Sequence, residues 1–183
     1  MREYKVGEYL VHETNGVCKV CEISEQALQG RGSEKLYYSL EPVFARGSRI
    51  LTPVDTKVRI RDVTTVADFD ALLARVPDME MIVEENSRVR AEIYKAQISL
   101  FDNDALARVL KTVYLRKVQR IASGKKVMSS DEKVLQIAGK KLFEEMAFAR
   151  KCEVAEAEDM FFERLDKEKK AIIKEEEEKA KQG

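Results

Sequence analysis

The pattern of apolar residues changes once along this chain, at about Asp62, and this change constrains the fold more than any other feature. Before it, short apolar runs alternate with turn residues at a spacing of roughly ten residues, which is typical of a small antiparallel β-structure. After it, apolar residues recur every three or four positions, which is the period of amphipathic helices. The sequence therefore predicts an α+β protein with a small antiparallel β-barrel or rolled sheet at residues 1–62, an all-helical domain at 63–165 and a charged tail at 166–183.

The N-terminal region contains five short segments with the composition of strands. Turn signals separate them, the clearest being Asn15-Gly16 and the glycine-rich run Gly30–Ser33. The predicted strands span residues 4–11, 17–23, 35–40, 48–54 and 57–61. A domain of about 60 residues buries little apolar surface, so this region is expected to depend on the helices that follow it.

The remaining sequence predicts five helices, at about 68–75, 79–101, 105–123, 129–149 and 152–165. The run Asp102–Asp104 is expected to cap the third helix, and Gly124 is expected to end it. Ser129 and Glu132 have the spacing of a capping box for the fourth helix. The tail at 166–183 is almost entirely Lys and Glu, which favours either a solvated helical extension or disorder.

A marked charge imbalance lies in the basic segment, which we define as Ala105–Ser130. It contains seven basic residues and no acidic one. These residues are Arg108, Lys111, Arg116, Lys117, Arg120, Lys125 and Lys126. A helical projection places Arg108, Lys111 and Arg116 off the apolar stripe. The segment is therefore interpreted either as a polyanion-binding element, most plausibly for nucleic-acid phosphates, or as an ordinary solvated helix face.

No arrangement of residues indicates catalysis, a metal or a cofactor. His12, the single histidine, lies in a predicted strand without a nucleophile near it. Cys18 and Cys21 have the CxxC spacing, but residues three apart on a strand point to opposite faces, and no second cysteine pair completes a metal site. We therefore expect both cysteines to act as small apolar residues and the protein to have no enzymatic activity.

Composition argues against a membrane or secreted protein. No apolar run approaches the ~18 residues of a membrane span, and the first residues lack the apolar core of a signal peptide. Three cysteines, an odd number, favour a reducing cytoplasm over a disulfide framework. The 33 basic and 33 acidic residues cancel, so the net charge alone indicates no class of partner.

Motifs in both halves of the sequence resemble the CarD-like transcriptional regulators of bacteria. The N-terminal motifs are Val6-Gly7-Glu8-x-Leu10-Val11, Asn15-Gly16-Val17, Ile23, Gly30, Tyr37-Tyr38-x-Leu40 and Ile50-x-x-Pro53. The C-terminal motifs are the run from Val109 to Lys117 and Ser129-x-x-Glu132-Lys133. The resemblance covers residues 1 to about 165 and departs from the family at the first turn, where Cys18 replaces a glycine.

This resemblance implies a Tudor-like barrel that binds the β subunit of RNA polymerase. The helical domain would contact promoter DNA near the upstream edge of the transcription bubble and tune open-complex stability, without enzymatic activity. The family's polymerase-binding sheet edge corresponds to the strand Arg49, Ile50, Leu51 and Thr52, with Lys35 and Tyr37 on its neighbour. The protein is then expected in the cytoplasm, associated with the nucleoid through the polymerase.

Many family members carry a tryptophan that wedges against the DNA minor groove, but the corresponding stretch here is Glu85–Arg90 and the protein has no Trp. We therefore expect weak, non-specific binding to promoter DNA. The expected DNA-binding residues are Arg88, Arg90, Lys111, Arg116, Lys117, Arg120, Lys125 and Lys126. Tyr94, the nearest aromatic residue, fits the apolar pattern of the core. The rival interpretation is a DNA-independent interaction module whose basic segment binds an acidic protein surface or the chain's own tail.

Overall fold

The computed structural model describes residues 2–27, 34–45, 47–55 and 57–182. The chain forms two compact units, Met1–Thr64 and Thr65–Gly183. Over the described residues, the first unit holds five strands and the second holds six helices. The charged segment that the sequence predicts as a separate tail therefore lies within the second unit.

The first unit is a single antiparallel sheet. Its strands are β1 (Tyr9–His12), β2 (Gly16–Gln26), β3 (Lys35–Pro42), β4 (Ile50–Pro53) and β5 (Ile60–Arg61). Their spatial order is β4-β3-β2-β1-β5, which confirms the five predicted strands. The closed barrel is not observed, because within the described residues β4 and β5 form the two edges and no ladder joins them. The predicted turn at Gly30–Ser33 lies outside the described residues.

The sheet bends around a small apolar core. The buried members of this core are Tyr4, Leu10, Cys18, Val20, Tyr38 and Leu40. The β2–β3 register shifts between Val20 and Glu22, and a bulge of this kind bends the strand that carries it. Ile50 of β4 and Ile60 of β5 both pack against the core, so the sheet curls enough to bring side chains from its two edges onto one cluster.

The second unit is all-helical, as predicted. Its helices are α1 (Val66–Arg75), α2 (Ser87–Ile98), α3 (Asn103–Ala122), α4 (Ser129–Arg150), α5 (Val154–Glu163) and α6 (Asp166–Gln182). Within the described part of the chain, no helix is both long enough and apolar enough to cross a lipid bilayer.

Three local signals act as the sequence predicts. Gly16 takes a φ of +69° in the turn between β1 and β2, which glycine adopts without the strain of a side chain. The Asp102 side chain caps α3 by accepting the Ala105 N–H at 2.9 Å. Gly124, with a φ of +70°, follows the end of α3, and glycine is the usual residue for that left-handed position.

The predicted start of α2 at residue 79 is wrong, because α2 begins at Ser87. The segment before α2 is bonded to α3, since the Ile82 N–H donates to Thr112 Oγ1 at 3.0 Å. Asn86 then caps α2, and its side chain accepts two of the helix's first N–H groups at 3.0 and 3.3 Å. The apolar residues Met79, Met81 and Ile82 therefore pack on the core from a non-helical segment.

The predicted capping box at the start of α4 is also wrong. Ser129 is already the first helical residue, and the N-cap is Met128, whose side chain makes no capping hydrogen bond. A capping box occurs instead at α5, where the Glu153 N–H donates to Glu156 Oε2 at 3.0 Å. Glutamate is a less usual N-cap than serine or threonine, so Glu153 does not indicate a helix start in the sequence.

Helix α3 is the central helix of the second unit. Nine of its side chains, all between Ala105 and Leu115, are buried. Helices α4 and α6 pack directly along it, and Ile172 of α6 lies against the same apolar core. The solvated helical extension predicted for 166–183 is therefore a helix with one packed side, and the basic segment is not a free surface along most of its length.

Candidate functional site

Strand β4 forms one of the two edges of the sheet. Its register pairs Thr52 with Tyr38 and Leu51 with Ser39 of β3. The Val54 N–H donates to Leu36 O at 2.9 Å. Because main-chain groups alternate in direction along an antiparallel strand, the N–H and C=O of Thr52 point toward β3 and those of Leu51 point away from it. An outward N–H and C=O pair is a template for an added strand.

The six predicted polymerase-binding residues divide into surface and interior positions. Leu51 is 45 % exposed, and Arg49 and Lys35 are exposed on either side of it. The Lys35 ammonium lies 3.1 Å from Asp55 Oδ2 in an exposed ion pair. Tyr37 and Thr52 are buried, and Ile50 packs half-buried on the core. These three side chains therefore belong to the interior of the sheet rather than to its surface.

Two of the predicted DNA-binding cations lie in the interior of the helical unit. Arg90 is only 4 % exposed, and its Nη1 donates to Glu84 O at 2.7 Å and Glu85 O at 3.2 Å. Lys111 is 5 % exposed, its Nζ donates to Pro77 O, and Glu168 Oε1 lies 3.9 Å away.

Lys111 is therefore buried although the helical projection places it off the apolar stripe. The helical projection identifies one apolar face of α3, but other elements cover the opposite face as well. The carbonyl oxygen of Pro77 and the side chain of Glu168 meet the Lys111 ammonium there.

The other six predicted cations remain at least partly exposed. They are Arg88, Arg116, Lys117, Arg120, Lys125 and Lys126. Apart from Arg88 in the first turn of α2, they come from the last third of α3 and the turn after it. The Arg120 Nε donates to Lys126 O at 2.9 Å and fixes that turn. The surface part of the basic segment is therefore its C-terminal half.

A cleft of about 510 Å³ brings Arg90, Arg116 and Arg120 together, with Ser87 at its wall. Lys117 is not part of it and instead lines a second cleft of about 640 Å³ between α3, α4 and α5. The structure thus groups three of the predicted DNA-binding residues and separates Lys117 and Lys111 from them. We call the first cleft the arginine cleft.

Tyr94 lies in the core of the helical unit, as predicted, and is 2 % exposed. Burial raises the pKa of its phenol, Asp131 raises it further, and the positive charges of Arg116 and Arg90 act in the opposite direction. The Tyr94 hydroxyl therefore lies within electrostatic reach of Arg116. Its burial excludes an aromatic wedge at this position in the observed conformation.

Val83 is a surface residue that the sequence pattern misplaced inside a helix. Its side chain is 89 % exposed in the segment before α2, and it lines the arginine cleft. Exposed valines are common on protein surfaces, so no signal in the sequence distinguishes this one.

The CxxC pair does not form a metal site. Cys18 is buried and Cys21 is half-buried, and both are free thiols. Burial raises the pKa of the Cys18 thiol to about 12, so it is protonated at neutral pH. Among the residues that the structure describes, no group of three or more His, Cys, Asp or Glu side chains is placed to hold a metal ion.

Comparison with known families finds a similarity for the first unit. Residues 4–64 match the model of the CarD-like/TRCF RID domain. This match coincides with the compact unit Met1–Thr64 and confirms the resemblance seen in the N-terminal motifs. No curated protein matches the chain. The N-terminal unit is therefore similar to a CarD-like/TRCF RID domain, and this similarity supports an interaction with RNA polymerase.

Proposed function

We propose that this protein is a transcription regulator that binds the β subunit of RNA polymerase through its N-terminal sheet and promoter DNA through the basic end of its helical unit. By holding both, it modulates the stability of the open complex. The match of residues 4–64 to the CarD-like/TRCF RID domain carries the proposal. The protein acts as a non-enzymatic interaction module.

The polymerase contact is assigned to the outer edge of β4. Leu51 presents its N–H, its C=O and an exposed apolar side chain there. Pro53 occupies the next outward position and has no N–H, so Leu51 supplies the outward donor between Ile50 and Pro53. Exposed Arg49 places a positive charge near Leu51 that favours an acidic group on the partner, whereas the charge of Lys35 is paired with Asp55.

Capture of purified β subunit by the full-length protein tests this contact. Leu51→Pro removes the outward donor without removing a β3–β4 hydrogen bond, and we expect it to abolish most of the capture. Leu51→Ala keeps the donor and loses only side-chain contact, so it should bind more tightly than the proline variant. Equal capture by the wild type and the proline variant would place the polymerase contact elsewhere on the chain.

The DNA contact is assigned to the exposed cations of the basic segment. A helical unit that neutralises phosphates releases counterions, so log Kd should vary linearly with log salt concentration, with a slope of about 0.9 per phosphate contact. Replacing Lys117, Lys125 and Lys126 by Ala should reduce that slope. Arg120 is left intact because its side chain holds the turn.

A charge-matched control is available on α6. Lys167, Lys170 and Lys181 are exposed, and replacing them by Ala changes the net charge by the same amount. We expect this control to leave the salt slope nearly unchanged, because its lysines lie on another helix. If the two triple variants reduce the salt slope equally, duplex binding depends on the net charge of the protein rather than on the basic segment.

The rival interaction-module interpretation makes a different prediction in the same assays. It expects β-subunit capture without any salt-dependent binding of duplex DNA by the full chain. Its second form, in which the tail neutralises the basic segment, receives limited support, since the ion pair between these two segments joins Glu168 to the buried Lys111. Open-complex lifetime tests whether the protein modulates the stability of that complex. It is measured with purified polymerase in the presence of the wild type or of Leu51→Pro.

A further inference from the structure

Three buried polar atoms of the helical unit, one each on α2, α3 and α4, have no hydrogen-bond partner in the described part of the chain. They are the Tyr94 hydroxyl, Arg116 Nε and Asp131 Oδ2. The Tyr94 side chain is 2 % exposed and Asp131 is 3 % exposed. Because polar groups as deeply buried as these are nearly always paired, three unpaired ones together require an explanation.

The three groups lie within electrostatic reach of one another but are not in direct contact. Burial is the largest cause of the raised pKa of the Tyr94 phenol. The positive charge of Arg116 then lowers that pKa and the negative charge of Asp131 raises it. Over the described residues, however, no hydrogen bond joins any two of the three atoms, and no ion pair joins Arg116 to Asp131. Polar groups that interact across such a gap are commonly bridged by water.

The chemistry of the three groups matches the hydrogen-bonding capacity of one water molecule. Arg116 Nε carries a single N–H donor, a carboxylate oxygen of Asp131 is an acceptor, and the Tyr94 hydroxyl can either donate or accept. A water molecule can therefore accept from Arg116, donate to Asp131 and complete a third bond with Tyr94. Buried waters typically make about three hydrogen bonds to polar groups that would otherwise be unsatisfied.

The charges around this position favour a neutral ligand over an ion. The Arg116 guanidinium repels a cation and the Asp131 carboxylate repels an anion, whereas water can bond to both. Asp131 lies in the first turn of α4, where the helix dipole favours its negative charge. Although Arg116 lines the arginine cleft, its Nε is closed to solvent, so the ligand belongs to the interior and not to the cleft.

We propose that Tyr94, Arg116 and Asp131 hold one buried water molecule that joins α2, α3 and α4. The water bridges a guanidinium and a carboxylate that do not meet directly, and it gives the Tyr94 hydroxyl a partner. Helix α2 has two buried side chains, Arg90 and Tyr94, so its attachment to the other helices depends strongly on the bonds that these two make. The water site therefore holds α2 in place, whether or not the helical unit binds DNA.

A crystal structure of the full-length protein, at a resolution that shows ordered waters, tests the site directly. We expect one water within about 2.7–3.2 Å of the Tyr94 hydroxyl, Arg116 Nε and Asp131 Oδ2. The proposal is overturned if these atoms bond directly to one another, or if no ordered water contacts them.

Nuclear Overhauser contacts between water and the Arg116 Nε–H, measured on the ¹⁵N-labelled full-length protein, test the same site in solution. We expect a contact with the sign of a long-lived water. It should persist in Tyr94→Phe, because the water keeps two partners and the variant has no phenol hydroxyl to relay exchange. Loss of the contact in Tyr94→Phe would attribute the wild-type signal to that hydroxyl and would contradict a bound water.

Hydrogen exchange of the α2 amides tests the role of the site in holding the helix. Tyr94→Phe removes one hydrogen bond of the site, so we expect these amides to exchange roughly fivefold faster than in the wild type. Tyr114→Phe is the matched control, since Tyr114 is a half-buried tyrosine of α3, and it should leave their exchange unchanged. Equal exchange rates in the two variants would refute the role of the water site in holding α2.

Discussion

Replacement of Lys111 by methionine tests whether this cation belongs to the interior or to a ligand surface. The Lys111 ammonium donates to Pro77 O and lies 3.9 Å from Glu168 Oε1, and the side chain is 6 % exposed. Methionine keeps the apolar stem at a similar volume, so the change removes the charge and its hydrogen bond with little loss of packing.

The expected cost follows from these contacts. The Pro77 carbonyl oxygen loses its donor, and an unsatisfied buried acceptor costs about 1–3 kcal/mol. Glu168 loses a cation that lies 3.9 Å from its Oε1, and its Oε2 is buried without a hydrogen-bond partner in the described part of the chain, so this loss adds to the cost. We therefore expect Lys111→Met to lower the free energy of unfolding of the helical unit by about 2 kcal/mol.

Urea unfolding followed by circular dichroism at 222 nm measures this loss, since that signal reports mainly the helices. Lys140→Met is the matched control, because Lys140 is exposed on α4, and it should change the stability by less than about 0.5 kcal/mol. The salt slope of duplex binding should be unchanged in Lys111→Met. A slope reduced by about 0.9 at unchanged stability would show that Lys111 contacts a phosphate and would refute its assignment to the interior.

Two further predictions concern buried groups. Thr112→Val should destabilise the helical unit by about 1–3 kcal/mol in the same unfolding assay, because the Ile82 N–H loses its acceptor. Thr112→Ser, which keeps the hydroxyl, should cost less, and equal costs would contradict the role of that bond. Cys18 should resist a thiol reagent at neutral pH in the native protein, since burial raises the pKa of its thiol to about 12, while the half-buried Cys21 reacts first. Mass spectrometry of the labelled peptides distinguishes the two, and labelling of native Cys18 at the rate of Cys21 would contradict its burial.

The five strands could be anticipated because clear turn signals separate them in the first unit. Asn15 and Gly16 specify a turn, and the two strands that flank it pair directly, with His12 opposite Gly16. Closure of the sheet could not be decided in the same way. It depends on whether β4 pairs with β5, and the sequence of neither strand indicates a pairing partner so distant along the chain.

Two predicted helix starts are wrong, at α2 and at α4. Residues 79–86 have apolar positions compatible with a helix, but the Ile82 N–H is bonded to Thr112, which lies 30 residues further along the chain. Met128 occupies an N-cap without contributing a side-chain bond, so Ser129 is drawn into the first turn of α4. The error at α2 arises where a tertiary contact outweighs local propensity.

The candidate site could be predicted in composition but not in geometry. The sequence shows an excess of cations between Ala105 and Ser130, and a helical projection shows which residues avoid one apolar stripe. It does not show that α3 is central, so Lys111 falls in the interior although it lies off the stripe. Nor does it show that Arg90 meets Arg116 and Arg120, because these residues come from two helices.

Three arginines of the helical unit combine charge with a structural hydrogen bond, whereas two exposed lysines after α3 supply charge alone. Arg90, Arg108 and Arg120 each donate to a main-chain oxygen six or more positions away, so each guanidinium holds a loop as well as carrying a charge. Lys125 and Lys126 are exposed and present only charge. An ammonium lacks the planar fork of a guanidinium, so Arg-to-Lys changes conserve the electrostatic attraction while releasing the loops. It follows that the shape of the basic end depends on its arginines, whereas its long-range attraction for phosphates is shared by both residue types.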